Sequence, residues 1–294
     1  MSESARGILV CIGDLVEDIV VWPAGATRSG TDNPSRIHHS RGGSAANVAA
    51  FASSLGTPTR FIGRVGEDSV GDGLVRDLSR AGVDAHVQRQ GRTGTIVLIV
   101  DDAGERTMYP DRAAAAQLAD VPDAWISGAG AVHLSAYSLD GPARAVLRQA
   151  ADIAHAEGAI LTVDASSVAL IDSIGAETFR SLVSALQPTY VFANGTEADV
   201  GSLRELGTTV VVKNGVDPTE VHFADGTSAI VRVSPVDGVR DTTGAGDAFA
   251  AGFLSAVLDQ ADAVEAVEAG HNLARKVLTE PGATLTNDNG AACD

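Results

Sequence analysis

Short apolar runs alternate along most of this chain with stretches whose apolar residues recur at helical spacing. "GILVCIG" (7–13) has strand length; "SAANVAAFASSLG" (44–56) follows with Ala46, Ala49, Ala50 and Leu55 near one face and Gly56 as its stop. "TRFIGRVG" (59–66) and "SVGDGLVRDLSRAG" (69–82) repeat the pair. "AVHLSAY" (131–137) predicts a strand, and "PARAVLRQAADIAHAEG" (142–158) a helix with Pro142 in its first turn and Gly158 past its end. "AILTVDA" (159–165), "TYVFAN" (189–194) and "TTVVVKNG" (208–215) predict strands, with a short helix over 196–206 between the last two. Two Ala-rich helices, near 245–258 and 261–279, close the pattern. Val/Ile strands alternating with helices predict an α/β fold, a mostly parallel sheet covered on both faces.

Two regions break the rhythm. Residues 19–41 carry alternating and polar residues with turn signals at Pro23, Gly25 and Asn33–Pro34. Residues 84–112 read as hairpin strands with a turn at Asp101–Gly104. Both segments are expected to form a small β-lid inserted into a single domain spanning 1–294, with a polar tail at 283–294.

Composition narrows the partners. The net charge is −17, which disfavours nucleic acid, because phosphate backbones are bound by clustered Lys and Arg. No apolar run reaches the roughly 18 residues of a membrane span, and the N-terminus lacks a signal-peptide pattern. Cys11 lies in an apolar run and Cys293 in the tail, so no disulfide is expected and a reducing, cytoplasmic location fits. If the ligand is an anion, a few local donors and a divalent cation must work against the global field.

The familiar phosphate loops are missing. There is no G-x-x-x-x-G-K-[ST], and no G-x-G-x-x-G follows the first strand; H-E-x-x-H, Cys-x-x-Cys and G-x-S-x-G are absent as well. His38 and His39 are adjacent, so their side chains diverge, and they read as solvated lid residues. What remains is "VRDTTGAGDAFAAGF" (239–253), where a glycine-rich turn becomes a helix at Asp247. The backbone N–H groups of Gly244, Ala245 and Gly246 would converge there on one point, a nest for an oxyanion or a phosphoryl group. Asp247 could act as general base on a hydroxyl beside that point, or could simply complement the helix dipole, which favours its ionised form.

A second stretch, "RGGSAANVAA" (41–50), sets Gly42 and Gly43 before a helix with Asn47 one turn in. It reads either as a helix start capped by Ser44 or as a polyol site, the glycines admitting a ligand whose hydroxyls Asn47 bonds. Asp14 and Asp18 lie just past the first strand, where ligands of open α/β sheets bind. Acids there can accept sugar hydroxyls, although Asp14 and Glu17 read as loop acids in water.

These stretches, together with "GRVGEDSVGDGLVRDLSRAGVD", "NGTE" and "EPGA", resemble the ribokinase family of carbohydrate kinases (the phosphofructokinase-B group) over nearly the whole chain. The resemblance implies a three-layer αβα sandwich with a lid, and ATP-dependent phosphoryl transfer, with Mg²⁺, to a hydroxyl of a small sugar-like molecule. It implies Asp247 as the base, Gly244, Ala245 and Gly246 as the anion hole, and Asp18, Gly42, Gly43 and Asn47 as the substrate site. Asn194 and Glu197 match the family's N-x-x-E element of the Mg²⁺ and phosphate network. Lys213 to Gly215 would line the triphosphate, and His271 or Asn272 would lie near the adenine. The family's monovalent-cation (K⁺) loop maps to Asp241, Thr243 and the segment around Gly282, and its lid often makes a dimer contact.

The sequence also departs from ribokinases proper. Ser44 replaces a lysine after the paired glycines, Tyr137 lies near the place of a substrate-binding Glu, and Lys213 stands where many members have Thr. Both of the first two changes argue against ribose itself. Tyr109 and Arg112 end the lid; Arg112 is either a surface residue or a hook for a carboxylate or phosphate on the acceptor. A sugar kinase acting on a sugar, keto-sugar or sugar acid leads, and a nucleoside kinase of the same fold is the alternative, its base needing an aromatic-bearing lid for which Trp22 and Tyr109 qualify. A non-catalytic sugar- or nucleotide-binding regulator ranks third, and a Rossmann oxidoreductase is a distant fourth.

Overall fold

The computed structural model describes residues 7–101, 106–240 and 242–279. The first apolar run forms β1 (Ile8–Ile12), and the chain then leaves the body as β2 (Val16–Pro23) and β3 (Ser35–Gly42) before returning through α1 (Ser44–Ser54), β4 (Thr59–Val65), α2 (Ser69–Arg80) and β5 (Asp84–Arg89). A second excursion, β6 (Thr95–Val100) and β7 (Arg106–Asp111), precedes α3 (Asp123–Ile126) and β8 (Ala129–Ser135). The remainder runs α4 (Ala143–Glu157), β9 (Ile160–Asp164), α5 (Val168–Ile174), α6 (Ala176–Ala185), β10 (Tyr190–Asn194), α7 (Gly195–Val200), β11 (Thr209–Lys213), β12 (Thr219–His222), β13 (Ser228–Val231), α8 (Ala245–Leu258) and α9 (Ala263–Leu278).

The main sheet has nine strands in the order β13-β12-β11-β10-β9-β8-β1-β4-β5, parallel from β11 to β5 and antiparallel at β12 and β13. The chain winds outward from β1 on one side and from β8 on the other, so a crevice opens at their carboxyl ends. Alternate residues of each strand feed two cores. Leu9 and Cys11 join the core that also holds Val48, Phe192, Phe249 and Phe253, whereas Val10 and Ile12 join the one that holds Leu147, Ile171 and Phe179. The Phe192 and Phe253 rings meet edge to face at 5.0 Å, a geometry that adds about 0.5–1.5 kcal/mol beyond area burial and fixes α8 on β10.

β3, β2, β6 and β7 form the separate four-stranded lid. The expected 84–112 lid segment is therefore shorter than its alternation suggests, because Asp84–Arg89 is β5 and pairs with β4 in the body, Phe61 beside Ala85. A half-buried edge strand and a lid strand share the same period of two, and Val83, Ala85 and Val87 pack into the body core. Most of the expected turn at Asp101–Gly104, the 283–294 tail and Cys293 lie outside the described residues. The short helices α3 and α5 and the β12–β13 hairpin carry little periodic signal; α6 does carry one, Phe179, Leu182 and Val183 lying on its core face, and all four are additions to the sequence reading. No described helix is long and apolar enough to cross a membrane.

Candidate active site

The paired glycines are required by crowding where β3 of the lid runs into α1 of the body. At Gly42 an added Cβ would lie 2.1 Å from Oδ1 of Asp18, so only a hydrogen lets that carboxylate fold against β3. Gly43 has φ +101°, and its Cβ would stand 2.2 Å from the Asp14 carbonyl oxygen. Gly43, not Ser44, is the N-cap of α1, and no side chain caps this end. The Ser44 hydroxyl is drawn away to a carboxylate instead, donating to Oδ1 of Asp247 at 2.8 Å. Asn47 Nδ2 donates to the other oxygen, Oδ2, at 2.9 Å. Two residues from α1 thus clasp an acid from α8 across about 200 positions of chain.

Asp247 follows Gly244, the left-handed N-cap of α8 (φ 76°), by three residues, with Ala245 and Gly246 between them. The helix start favours an ionised acid here, and at neutral pH Asp247 stays mostly ionised; desolvation nevertheless pushes it up to about 6, although the Asn47 and Ser44 hydrogen bonds hold it down. Asp164 adds a like charge, and Lys213 opposes it.

Asp18, on the first lid strand, is 8% exposed, and its Oδ1 has no hydrogen-bond partner. Burial, then the Asp247 charge, push it up to about 7, with Arg41 pulling the other way. Asp14 is not a loop acid in water. It is buried and grips Arg112 with both oxygens, Nε at 2.5 Å and Nη2 at 2.7 Å. That bidentate pair ties the last lid strand to the end of β1. The Arg112 guanidinium also lies 5.6 Å from the Tyr137 ring centre. Tyr137 itself sits in a turn beyond β8, which stops at Ser135, not on the expected strand.

Lys213, at the end of β11, donates to Oδ2 of Asp164 at 3.0 Å. Burial pulls its proton affinity down, yet the Asp164 and Glu197 charges hold it above the ordinary lysine value. Asn194 and Glu197 form the capping box of α7, Asn194 Oδ1 accepting from the Glu197 N–H at 2.9 Å and Glu197 Oε2 from the Asn194 N–H at 2.8 Å. Asn194, Lys213 and Gly215 line one groove of about 750 Å³, with Arg204, Asp217 and Ile230 on its walls. His271 packs on Phe249 and shares a hydrogen bond with Thr219 Oγ1 at 2.8 Å, while the neighbouring Asn272 is exposed. Asp241 and Gly282 lie outside the described residues. The Thr243 hydroxyl accepts from Arg106 at the start of β7, whose Nη2 reaches Thr242 Oγ1 at 2.6 Å.

The structure brings Asp18, Gly42, Gly43, Asn47 and Asp247 to one place and sets Asn194, Lys213 and Gly215 along the adjoining groove. Sequence reasoning missed Asp164, Arg41, Arg106 and the role of Ser44. Only Asp164 carried a local signal, as an acid at the carboxyl end of a strand in an open sheet. No group of three or more His, Cys, Asp or Glu among the described residues could hold a metal ion.

Residues 8–289 match the family model for pfkB family carbohydrate kinases. An ATP-dependent ribose-1-phosphate kinase of Halopiger xanaduensis is 34% identical over 78% of this chain and 77% of its own length. A 5-dehydro-2-deoxygluconokinase of Geobacillus kaustophilus is 26% identical over 81% of this chain and 78% of its own. Among solved structures, the adenosine kinase of Sinorhizobium meliloti superposes with a TM-score of 0.83 at 25% identity, covering 95% of this chain and 96% of its own.

Proposed function

From the premise that the chain belongs to the pfkB family of carbohydrate kinases, we propose that it transfers the γ-phosphoryl group of ATP to a hydroxyl of an anionic sugar, a sugar phosphate foremost, with Asp247 as general base. The observation that carries this reading is the placement of Asp247 directly after the Gly244–Gly246 turn, held from α1 by Ser44 and Asn47. One oxygen of the carboxylate would accept the acceptor's hydroxyl proton. The freed oxygen then bonds to phosphorus as the bond to the β-phosphate oxygen breaks, and ADP leaves. Little covalent chemistry is asked of the protein; it positions, and it stabilises charge.

The residues fit a nucleotide. The groove ends at Lys213, whose half-buried ammonium is kept charged by Asp164, and the amide nest lies next to it, an added Cβ on Gly246 standing 3.4 Å from Lys213 Nζ. Bound Mg²⁺ would neutralise phosphate charge, and Glu197 is the acid closest in role to meet its waters. Asp18 presents a buried acceptor with no partner, which a sugar hydroxyl would satisfy. Arg112 spends Nε and Nη2 on Asp14, leaving its remaining edge for an anionic group on the acceptor. The name of the Halopiger relative makes ribose 1-phosphate the first acceptor to try. A nucleoside acceptor is the second reading. Val20, Ile96, Leu98 and Met108 share the lid face of Asp18, although Tyr109 falls on the opposite one.

The test is ATP-dependent phosphorylation of ribose 1-phosphate, ribose, fructose, 5-dehydro-2-deoxygluconate and adenosine. We expect the highest kcat/KM for ribose 1-phosphate. Adenosine as best acceptor would select the nucleoside reading, and no phosphorylation of any would sink both. With the best acceptor, kcat/KM should fall below about pH 6, tenfold per pH unit, as Asp247 takes up its proton. A pH profile flat to pH 5 would contradict the base assignment.

The same shifts bear on stability. Burial and the Asp247 charge push Asp18 from the ordinary aspartate value of 3.8 up to about 7, so the folded state holds its proton more tightly. That contribution is complete below the unfolded value and is lost as pH rises through about 7. Asp18→Asn should therefore melt several degrees higher than wild type at pH 8 and no higher at pH 4, while raising the acceptor KM. A lower melting temperature at pH 8 would count against an uncompensated buried charge at this position.

A further inference from the structure

Arg41 is the residue before Gly42 on β3, opposite Glu17 on the lid sheet. Its side chain nevertheless reaches the body, where Nη2 donates to Oδ1 of Asn47 at 3.3 Å. That is its one hydrogen bond among the described residues, and its Nε is buried without a partner. A half-buried guanidinium with a buried, unpartnered Nε and so few bonds is a poor stabiliser of the fold. What its single bond does is decide which way an amide points.

Asn47 stands between Arg41 and Asp247, and its two ends differ only in O and N. With Oδ1 toward Arg41 and Nδ2 toward Asp247, both contacts are donor to acceptor. Rotating the amide by half a turn would set NH₂ against guanidinium N–H groups and a carbonyl oxygen against a carboxylate oxygen. Without Arg41 only the carboxylate side would discriminate, and protonation of Asp247 would remove that preference, since a protonated carboxyl can donate to Oδ1.

We propose that Arg41 is a positioning residue for the reaction, locking the Asn47 amide so that Nδ2 donates to Asp247 in every turnover. The proposal rests on the reading of Asp247 as base. Its local consequence, a carboxylate kept ready to accept a proton, belongs to the apo protein and can be measured without an acceptor. The charged groups that bear on it are Asp18 on β2, Asp164 on β9 and Lys213 on β11 around Asp247, and Asp77 on α2, Asp18 and Asp247 around Arg41. Arg41 is carried by the lid and Asn47 by the body, so the lock is set only when the lid strand is seated as it is here.

The experiment is a carboxyl ¹³C titration of aspartate-labelled full-length protein, the Asp247 resonance being assigned by its loss in Asp247→Asn. Arg41→Met should raise the Asp247 midpoint by about half a pH unit or more, and Arg41→Lys by less, since a point donor can still reach Oδ1. With the best acceptor of the panel, Arg41→Met should lower kcat by roughly 5- to 20-fold at pH 7 and move the acidic limb upward by the same interval, with KM little changed. In an Asn47→Ala background the further effect of Arg41→Met should be under about twofold, because the amide it acts through is gone.

An unmoved Asp247 midpoint in Arg41→Met overturns the proposal, as does an equal shift in the Asn47→Ala background, which would mean a direct charge effect. If Arg41→Met does not fold by circular dichroism, Arg41→Gln decides on the same criterion. Near-wild-type activity of Asp247→Asn would overturn the base assignment while leaving the titration result as measured. An inactive Asp247→Asn with an unmoved midpoint in Arg41→Met would overturn only the role of Arg41.

Discussion

Asp247→Asn should lower kcat by about 10²–10⁴-fold with the best acceptor and leave the ATP KM within a few-fold of wild type. The amide keeps the shape of the carboxylate and can accept one of the two bonds now donated by Ser44 and Asn47. It cannot take a proton from a hydroxyl. The Gly244–Gly246 amides and Lys213 remain, so the residual rate should stay above the uncatalysed one, as electrostatic stabilisation survives loss of a base. Steady-state assays coupled to ADP formation would measure the loss. Activity within fivefold of wild type would mean that this acid is a helix-start residue and that another group, or solvent, takes the proton.

Gly43→Ala should damage fold and activity together. The substitution forces an L residue to φ +101° and drives its Cβ to 2.2 Å from a backbone oxygen, that of Asp14, which cannot rotate away. Strain and overpacking of this kind cost about 2–4 kcal/mol in sum. For a chain of this size that is a melting temperature lower by roughly 3–7 °C. The start of α1 would shift, and with it Ser44 and Asn47, so kcat should fall at least tenfold even at temperatures where the protein is folded. Differential scanning calorimetry and assays at 20 °C would separate the two effects. An unchanged melting temperature would show that this junction relaxes freely. Gly42→Ala should be milder in stability, because the atoms it meets belong to the Asp18 side chain, but should raise the acceptor KM.

Much of this was legible in the chain. The run "ILVCI" has the length and composition of a strand buried on both faces, and the switch to helical spacing after Gly43 sets the body's first β-α unit. The Gly-Ala-Gly-Asp turn announced a helix start able to receive an anion, and its position late in the chain, with the glycine pair early, fitted the family that the whole-chain match establishes. Where the reading slipped, local pattern was degenerate. Strand β5 and the lid strands share a period of two, and nothing within six residues says which sheet they join. Ser44 has the composition of a cap, and only the arrival of Asp247 from the far end of the chain gives its hydroxyl a stronger acceptor.

The division follows the range of the forces. Hydrophobic period, helix punctuation and turn chemistry act over a few residues, so sequence alone determined the α/β class, most elements and the two loops that meet at the site. Burial and pairing act between residues distant in the chain. Whether Asp14 sits in water or clamps Arg112, whether Asp247 lies below or above the ordinary carboxylate range, and which way Asn47 points were set only when the sheet brought β1, α1, β9, β11 and α8 to one crevice. There, desolvation and a handful of charges exceed any preference that a residue carries alone.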